Sequence, residues 1–109
     1  MSDINMNKKP WGNEIIWANK ESYSGSILVI KEGERTPYIY HKIRDKTYFV
    51  LEGTLNFIIE GKSQLVETGK EIHIASKIMH RLHAIKSDAT ILEVGTKIID
   101  DVVVVESDY

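Results

Sequence analysis

The chain has 109 residues, 14 Lys plus Arg against 16 Asp plus Glu, a formal charge of −2 and no cysteine. The length suits one domain, 1–109, and the charge balance argues against broad nucleic-acid or anionic-membrane binding. The missing thiols exclude a disulfide scaffold, thiolate zinc sites and a cysteine nucleophile. With 16 Ile, 8 Val and 6 Thr against only 6 Leu and 4 Ala, β-branched side chains dominate, so the expected class is all-β.

Met1–Lys9 is polar and reads as loose, and Pro10-Trp11-Gly12 is a turn holding one large aromatic. Short apolar runs then alternate with turn residues. The first are Glu14–Ala18, Ser26–Lys31 and Tyr38–His41, with Glu32-Gly33-Glu34 turning between the second and third. Tyr48–Leu51 and Leu55–Ile59 flank Glu52-Gly53-Thr54 and read as a hairpin. Gln64–Val66, Ile72–Ile74, His80–Ile85, Thr90–Val94 and Val102–Val105 follow, with a short turn expected over Lys97–Asp101. Ten strands at roughly 8–12-residue spacing are the rhythm of a sandwich or barrel. The longest purely apolar run is Val102–Val105, and Met1–Pro10 has no apolar signal core. The expectation is a soluble cytoplasmic protein.

Strand alternation puts Ile39 and His41 on one face and Tyr38 and Tyr40 on the other. Lys46, Tyr48 and Val50 share a face of the next strand, and His80 alternates with Leu82 much later in the chain. A closed β-barrel brings such strands together around its mouth.

The spacing from Gly33 through His41 and position 46 to Gly53, and then from Gly69 to His80, resembles the two motifs of the cupin superfamily. The likeness is closer to small single-domain cupins related to mannose-6-phosphate isomerase, the type fused to mannose-1-phosphate guanylyltransferases. Its landmarks are Lys9-Pro10-Trp11-Gly12, Gly33, His41, Val50–Thr54, Gly69, His80-Arg81, Leu92-Glu93-Val94, Asp100-Asp101-Val102-Val103, Glu106, Asp108 and Tyr109. They run in family order over nearly the whole chain. The resemblance implies a cupin double-stranded β-helix, a jelly-roll barrel, acting in sugar-phosphate or nucleotide-sugar metabolism. It also implies a homodimer, because small cupins commonly pair through strands.

Several positions depart from the family pattern. Ile39 stands where relatives carry Gln or His, and Lys46 where they carry a metal-binding Glu. Ala75 and Lys77 replace Pro and Gly before the second histidine, and Val104 replaces an Arg in the closing run. His41 and His80 are the expected ligands that stay. Zinc sites use about three or four protein ligands at about 2.0–2.3 Å. A protonated Lys has no lone pair and repels a divalent ion. The cofactor expectation is therefore none, or a divalent metal held weakly by His41 and His80. Recruitment of His73, His83, Asp45 or a tyrosine would complete such a shell.

Lys46, Arg44, Arg81, His41 and His80 are candidates for a cationic pocket that suits phosphate or carboxylate groups. Glu93 is the expected partner of Lys46, and Tyr48 shares its inward face. The plainer alternative is solvated or paired charges and ordinary pocket histidines. Trp11 is expected to cover one end of the barrel. Trp17, Tyr38 and Tyr40 read as packing residues, His73 and His83 as surface or core-edge histidines, and the acidic tail as a solvated strand edge.

Three functions fit these residues. One is a sugar-phosphate isomerase resembling mannose-6-phosphate isomerase, with Lys46 as electrophile and His41 or His80 as general base. The second is a non-catalytic, metal-free cupin that binds a small anionic sugar through Arg44, Tyr48, Arg81 and Glu93, or serves as an interaction module. The third, a metal-dependent oxygenase, needs two His and a carboxylate in place and ranks last.

Overall fold

A computed structural model describes residues 4–109. Met1–Asp3, part of the segment read as loose, lie outside the described residues. The strands are β1 (Asn5–Lys9), β2 (Gly12–Asn19), β3 (Ser24–Ile30), β4 (Tyr38–His41), β5 (Lys46–Glu52), β6 (Thr54–Ile59), β7 (Lys62–Glu67), β8 (Glu71–Ile74), β9 (His80–Ala84), β10 (Ala89–Gly95) and β11 (Val102–Glu106). They form two antiparallel sheets, ordered β1-β2-β3-β10-β5-β8 and β11-β4-β9-β6-β7. There is no helix among the described residues.

The ten expected strands all form. The eleventh, β1, corrects the reading of the polar start as loose. Asn5–Lys9 carries no apolar alternation, but its backbone pairs with Gly12–Ile16 as an edge strand. Gly12 starts β2 because of crowding, since a Cβ there would lie 1.8 Å from the Val29 carbonyl oxygen. Residues 97–101 form the expected irregular connection, with Ile98 and Ile99 lining the cavity described below.

The inward face of the six-stranded sheet is layered by register. Ile30 pairs with Ala89, and Leu28 with Ile91, which pairs with Val50. One layer on, Ser26 pairs with Glu93 and Glu93 with Tyr48; in the next, Ser24 pairs with Gly95 and Gly95 with Lys46. The same drift from apolar to polar runs along β9 through Ala84, Leu82 and His80, all buried. Leu55 and Phe57 of β6 close the apolar end from the other sheet. This core buries enough aliphatic and aromatic surface to hold the sheets together at one end. The other end encloses charges.

Candidate functional site

The polar layers open into a cavity of about 470 Å³, with Lys46, His80 and Glu93 on its polar side and Ile39, Leu82 and Val104 among its apolar walls. His41 reaches it from the end of β4. Its Nδ1 lies 2.8 Å from Asp101 Oδ1, and the other Asp101 oxygen accepts the backbone N–H groups of Ile43 and Arg44 at 2.9 and 2.7 Å. Burial pushes the Asp101 carboxyl up, but the His41 contact and these backbone donors outweigh it and hold it down at about 2. An ionised Asp101 makes Nδ1 the protonated nitrogen of His41, so Nε2 is an acceptor. Lys46 Nζ sits 2.9 Å from that Nε2 and donates to it.

Lys46 is 4 % exposed. Burial lowers its pKa, and the facing Glu93 opposes that shift. Glu93 Oε1 lies 3.7 Å from Lys46 and Oε2 lies 3.6 Å from Arg44. Burial alone would raise the Glu93 pKa, but Lys46, Arg44 and the Tyr48 hydroxyl that donates to it together hold it below the ordinary carboxylate range. Arg44 also donates to the Thr96 carbonyl at 3.3 Å and to Ser24 Oγ at 3.1 Å, so it is a clamp as much as a wall. Glu14, half-buried on the cavity wall, has its pKa raised by burial and by Glu93. The cations of the site are therefore matched by carboxylates, and the cavity is a compensated network rather than a bare cationic rim.

His80 is 1 % exposed. Its Nδ1 donates to the Ile78 carbonyl at 2.9 Å, and its ring stacks 6.2 Å from that of His41. Burial, then the charge of Lys46, lowers its pKa to about 3.

The fold thus gathers His41, Arg44, Lys46, Tyr48, His80 and Glu93 around one cavity. It does not bring Arg81 there, which corrects the expectation of a substrate-binding Arg81. Arg81 alternates with His80 and Leu82 on β9 and so faces away from the cavity. There its Nε donates to the Thr36 carbonyl at 2.9 Å, and its guanidinium lies 3.7 Å from both Glu106 and Asp108. Trp11 is buried and lines the cavity, as expected of a cap. Trp17 is packing of an outward kind: its exposed indole lies on Gly25, where a Cβ would come within 2.2 Å of the ring. His73 is a surface histidine paired with Asp45, and neither it nor His83 lines the cavity.

Two site residues escaped the sequence reading. Glu14 carried no motif signal. Asp101 sat in a tail read as a solvated edge, and only the pairing of Val102 with His41 brings it to the histidine.

Two antiparallel sheets with a buried polar cluster at one end define a double-sheet jelly roll. Residues 26–95 match the Cupin domain family, and the chain belongs to that family. None of the curated proteins matches it. Among solved structures it is similar to KdgF from Halomonas sp., at 17 % identity and TM-score 0.80 over 90 % of this chain and 88 % of that one. An RmlC-like cupin from Shewanella frigidimarina aligns at 9 % identity and TM-score 0.76, over 90 % of this chain and 87 % of that one. CapF from Staphylococcus aureus, a capsular polysaccharide assembling protein, aligns at 14 % and 0.84 over 95 % of this chain, which spans only 34 % of CapF. At these identities the likeness is one of fold. Among the described residues no helix is long and apolar enough to cross a membrane.

Cupins often hold a metal, but the donor set here does not fit one. Among the described residues no group of three His, Asp or Glu side chains converges as a ligand set. The Nε2 lone pair of His41 is engaged by Lys46. An ammonium at that point repels a divalent ion and offers it no lone pair.

Proposed function

We propose that this protein is a metal-free cupin that binds a small anionic sugar derivative, of the sugar-phosphate class, in the cavity. One observation carries the reading: Lys46 Nζ stands 2.9 Å from His41 Nε2, its charge built into the place where a metal-binding cupin would present a carboxylate ligand. The ammonium has three N–H groups; with one given to His41 and one turned to Glu93, the third can donate to a phosphate, carboxylate or carbonyl oxygen. The landmarks shared with mannose-6-phosphate isomerase-like cupins support a sugar-phosphate ligand, and the fold likeness to CapF is compatible with carbohydrate. The test is elemental analysis of untagged protein before and after chelation and metal re-addition, with calorimetry against mannose 6-phosphate and fructose 6-phosphate. Negligible metal in both states is expected, with saturable binding that Lys46→Met abolishes. Near-stoichiometric metal that returns after chelation would overturn the reading.

A second reading, isomerisation, is favoured by the Nε2 of His80, which no donor among the described residues reaches, on a ring that feels the charge of Lys46. An imidazole whose pKa is about 3 is a weak base for a carbon-bound proton, because an efficient base titrates near the working pH. Binding is therefore the stronger reading. Interconversion of mannose 6-phosphate and fructose 6-phosphate that fails in His80→Gln would reverse that order.

The partner we propose is a second copy of the chain. On the outer face of the six-stranded sheet, Met6, Ile15, Ile27, Leu92 and Phe49 pair in direct register across five strands. Trp17, Leu51 and Val94, all exposed, extend the row. Their combined apolar surface is on the order of 600 Å², at the top of the range that monomers leave bare and a large part of the roughly 800 Å² per partner of a standard interface. Sedimentation should show a dimer that Phe49→Glu/Leu92→Glu dissociates; a monomeric native chain would refute it.

A further inference from the structure

His80 carries a polar atom that the chain itself leaves unmatched. Its Nδ1–H is spent on the Ile78 carbonyl, so Nε2 is an acceptor. No side-chain or backbone donor among the described residues reaches that nitrogen, although the ring is almost wholly buried. Its strand neighbours on the cavity side are apolar: Ile39 is its cross-strand partner and Leu82 follows on the same face. His41, stacked 6.2 Å away, presents the same kind of acceptor, and there Lys46 answers it. One imidazole of the pair is satisfied from within the protein and the other is not.

The chemistry of that difference limits what can occupy the cavity. A carboxylate oxygen or a fully ionised phosphate oxygen only accepts hydrogen bonds, and so suits Lys46 but opposes the lone pair of His80. A ligand ammonium would donate to His80 but has no lone pair with which to accept from Lys46. A hydroxyl donates at no charge cost. With His80 held neutral by burial, Nε2 stays an acceptor throughout the physiological pH range.

We propose that His80 selects a hydroxylated ligand, one that places an O–H on His80 Nε2 and a second oxygen, carbonyl, hydroxyl or anionic, on Lys46 Nζ. The pattern of one donor and one acceptor on the ligand matches a polyhydroxylated compound such as a sugar. It rests on the reading of this cavity as a ligand site and adds the polarity that the ligand must show. His80 is a specificity residue in this scheme, and no bond of the ligand is made or broken.

The test compares two probes on the full chain. Mannose 6-phosphate carries donors and acceptors, whereas inorganic sulfate carries acceptors only. Nitrogen NMR of the histidine rings should show His80 Nε2 moving toward the hydrogen-bonded position with mannose 6-phosphate and staying in place with sulfate. The His80→Phe variant should bind mannose 6-phosphate at least about tenfold more weakly, because the ligand hydroxyl is left unpaired, and should lose much less of its sulfate affinity. If mannose 6-phosphate binds the native chain without moving the Nε2 resonance, the role of His80 is wrong while the binding reading stands. If neither probe binds, the binding reading falls and this inference with it. The NMR arm uses the native chain, so the outcome does not depend on the variant folding.

Discussion

The two ends of the barrel are made by the same strands and behave as opposites. At one end Ile30, Val50, Leu55, Ile91 and Ala84 fill the space between the sheets with aliphatic side chains. At the other, two to four residues along β5, β9 and β10, Lys46, His80 and Glu93, with Arg44 from the segment just before β5, fill it with charge and imidazole, also hidden from water. The aliphatic end gains from burial directly. The charged end recovers its desolvation cost only through matched partners, so removal of a single partner is costly. The barrel is thus a stable half that carries a demanding half, a common division between scaffold and site.

The sharpest way to break that contrast is Glu93→Leu, which leaves Lys46 and Arg44 buried without their shared carboxylate. A loss of about 3–5 kcal/mol is expected in urea unfolding. The double variant Lys46→Met/Glu93→Leu should recover much of it, because two apolar side chains replace an ion pair. A double variant less stable than the single one would mean that the pair is not coupled as its 3.7 Å separation implies.

At the aliphatic end Leu55→Ala should cost about 3 kcal/mol, from lost transfer energy plus a cavity. The loss should be the same at pH 5 and pH 8, since no group near Leu55 in the apolar layers titrates. A pH-dependent loss would show that the two ends are not energetically separate.

Acid should weaken the charged end selectively. The folded-state pKa of His80 is depressed from 6.5 to about 3, so the unfolded chain binds more protons between those values. Its contribution is therefore complete above pH 6.5 and is lost as pH falls. Between pH 7 and pH 5 the loss is about 2 kcal/mol. Asp101 acts at lower pH: its depressed carboxyl contributes fully above 3.8, and that is lost as pH falls through about 2. Urea midpoints measured from pH 8 to pH 4 should slope downward, and His80→Leu should flatten the slope between pH 6.5 and 5. An unchanged slope would move the titrating group elsewhere.

Much of this arrangement could be read from residue order. Apolar runs between turn residues located ten strands, and parity along them put Lys46 with Tyr48 and His80 with Leu82 on common faces, while Glu93 was expected as the partner of Lys46. The same parity puts Arg81 opposite His80; the reading that gave Arg81 to the pocket followed the family landmark instead of the alternation. β1 was illegible because Asn5–Lys9 is an edge strand that needs only backbone pairing, and its side chains show no period. Asp101 was illegible for a different reason. Its partner His41 is 60 residues away, and local pattern does not encode which strand β11 will join.

The smallest expected effect isolates burial as the variable. Among the described residues two His–Asp pairs have nearly equal length, His41–Asp101 at 2.8 Å and His73–Asp45 at 2.6 Å. The first has side chains 9 % and 3 % exposed, the second 55 % and 50 %. Water screens and competes with the second pair, and its side chains lose rotamer freedom to form it. His73→Ala should therefore change stability by less than about 0.5 kcal/mol, with sugar-phosphate binding unaltered. Asp101→Asn, by contrast, keeps the shape but removes the charge that orients His41, so the acceptor offered to Lys46 is no longer enforced. Its signature should be a shifted His41 ring nitrogen resonance and weaker ligand binding. Equal consequences from both substitutions would mean that the fixed tautomer of His41 contributes nothing to the site, and that contact distance alone, not burial, sets the worth of the pair.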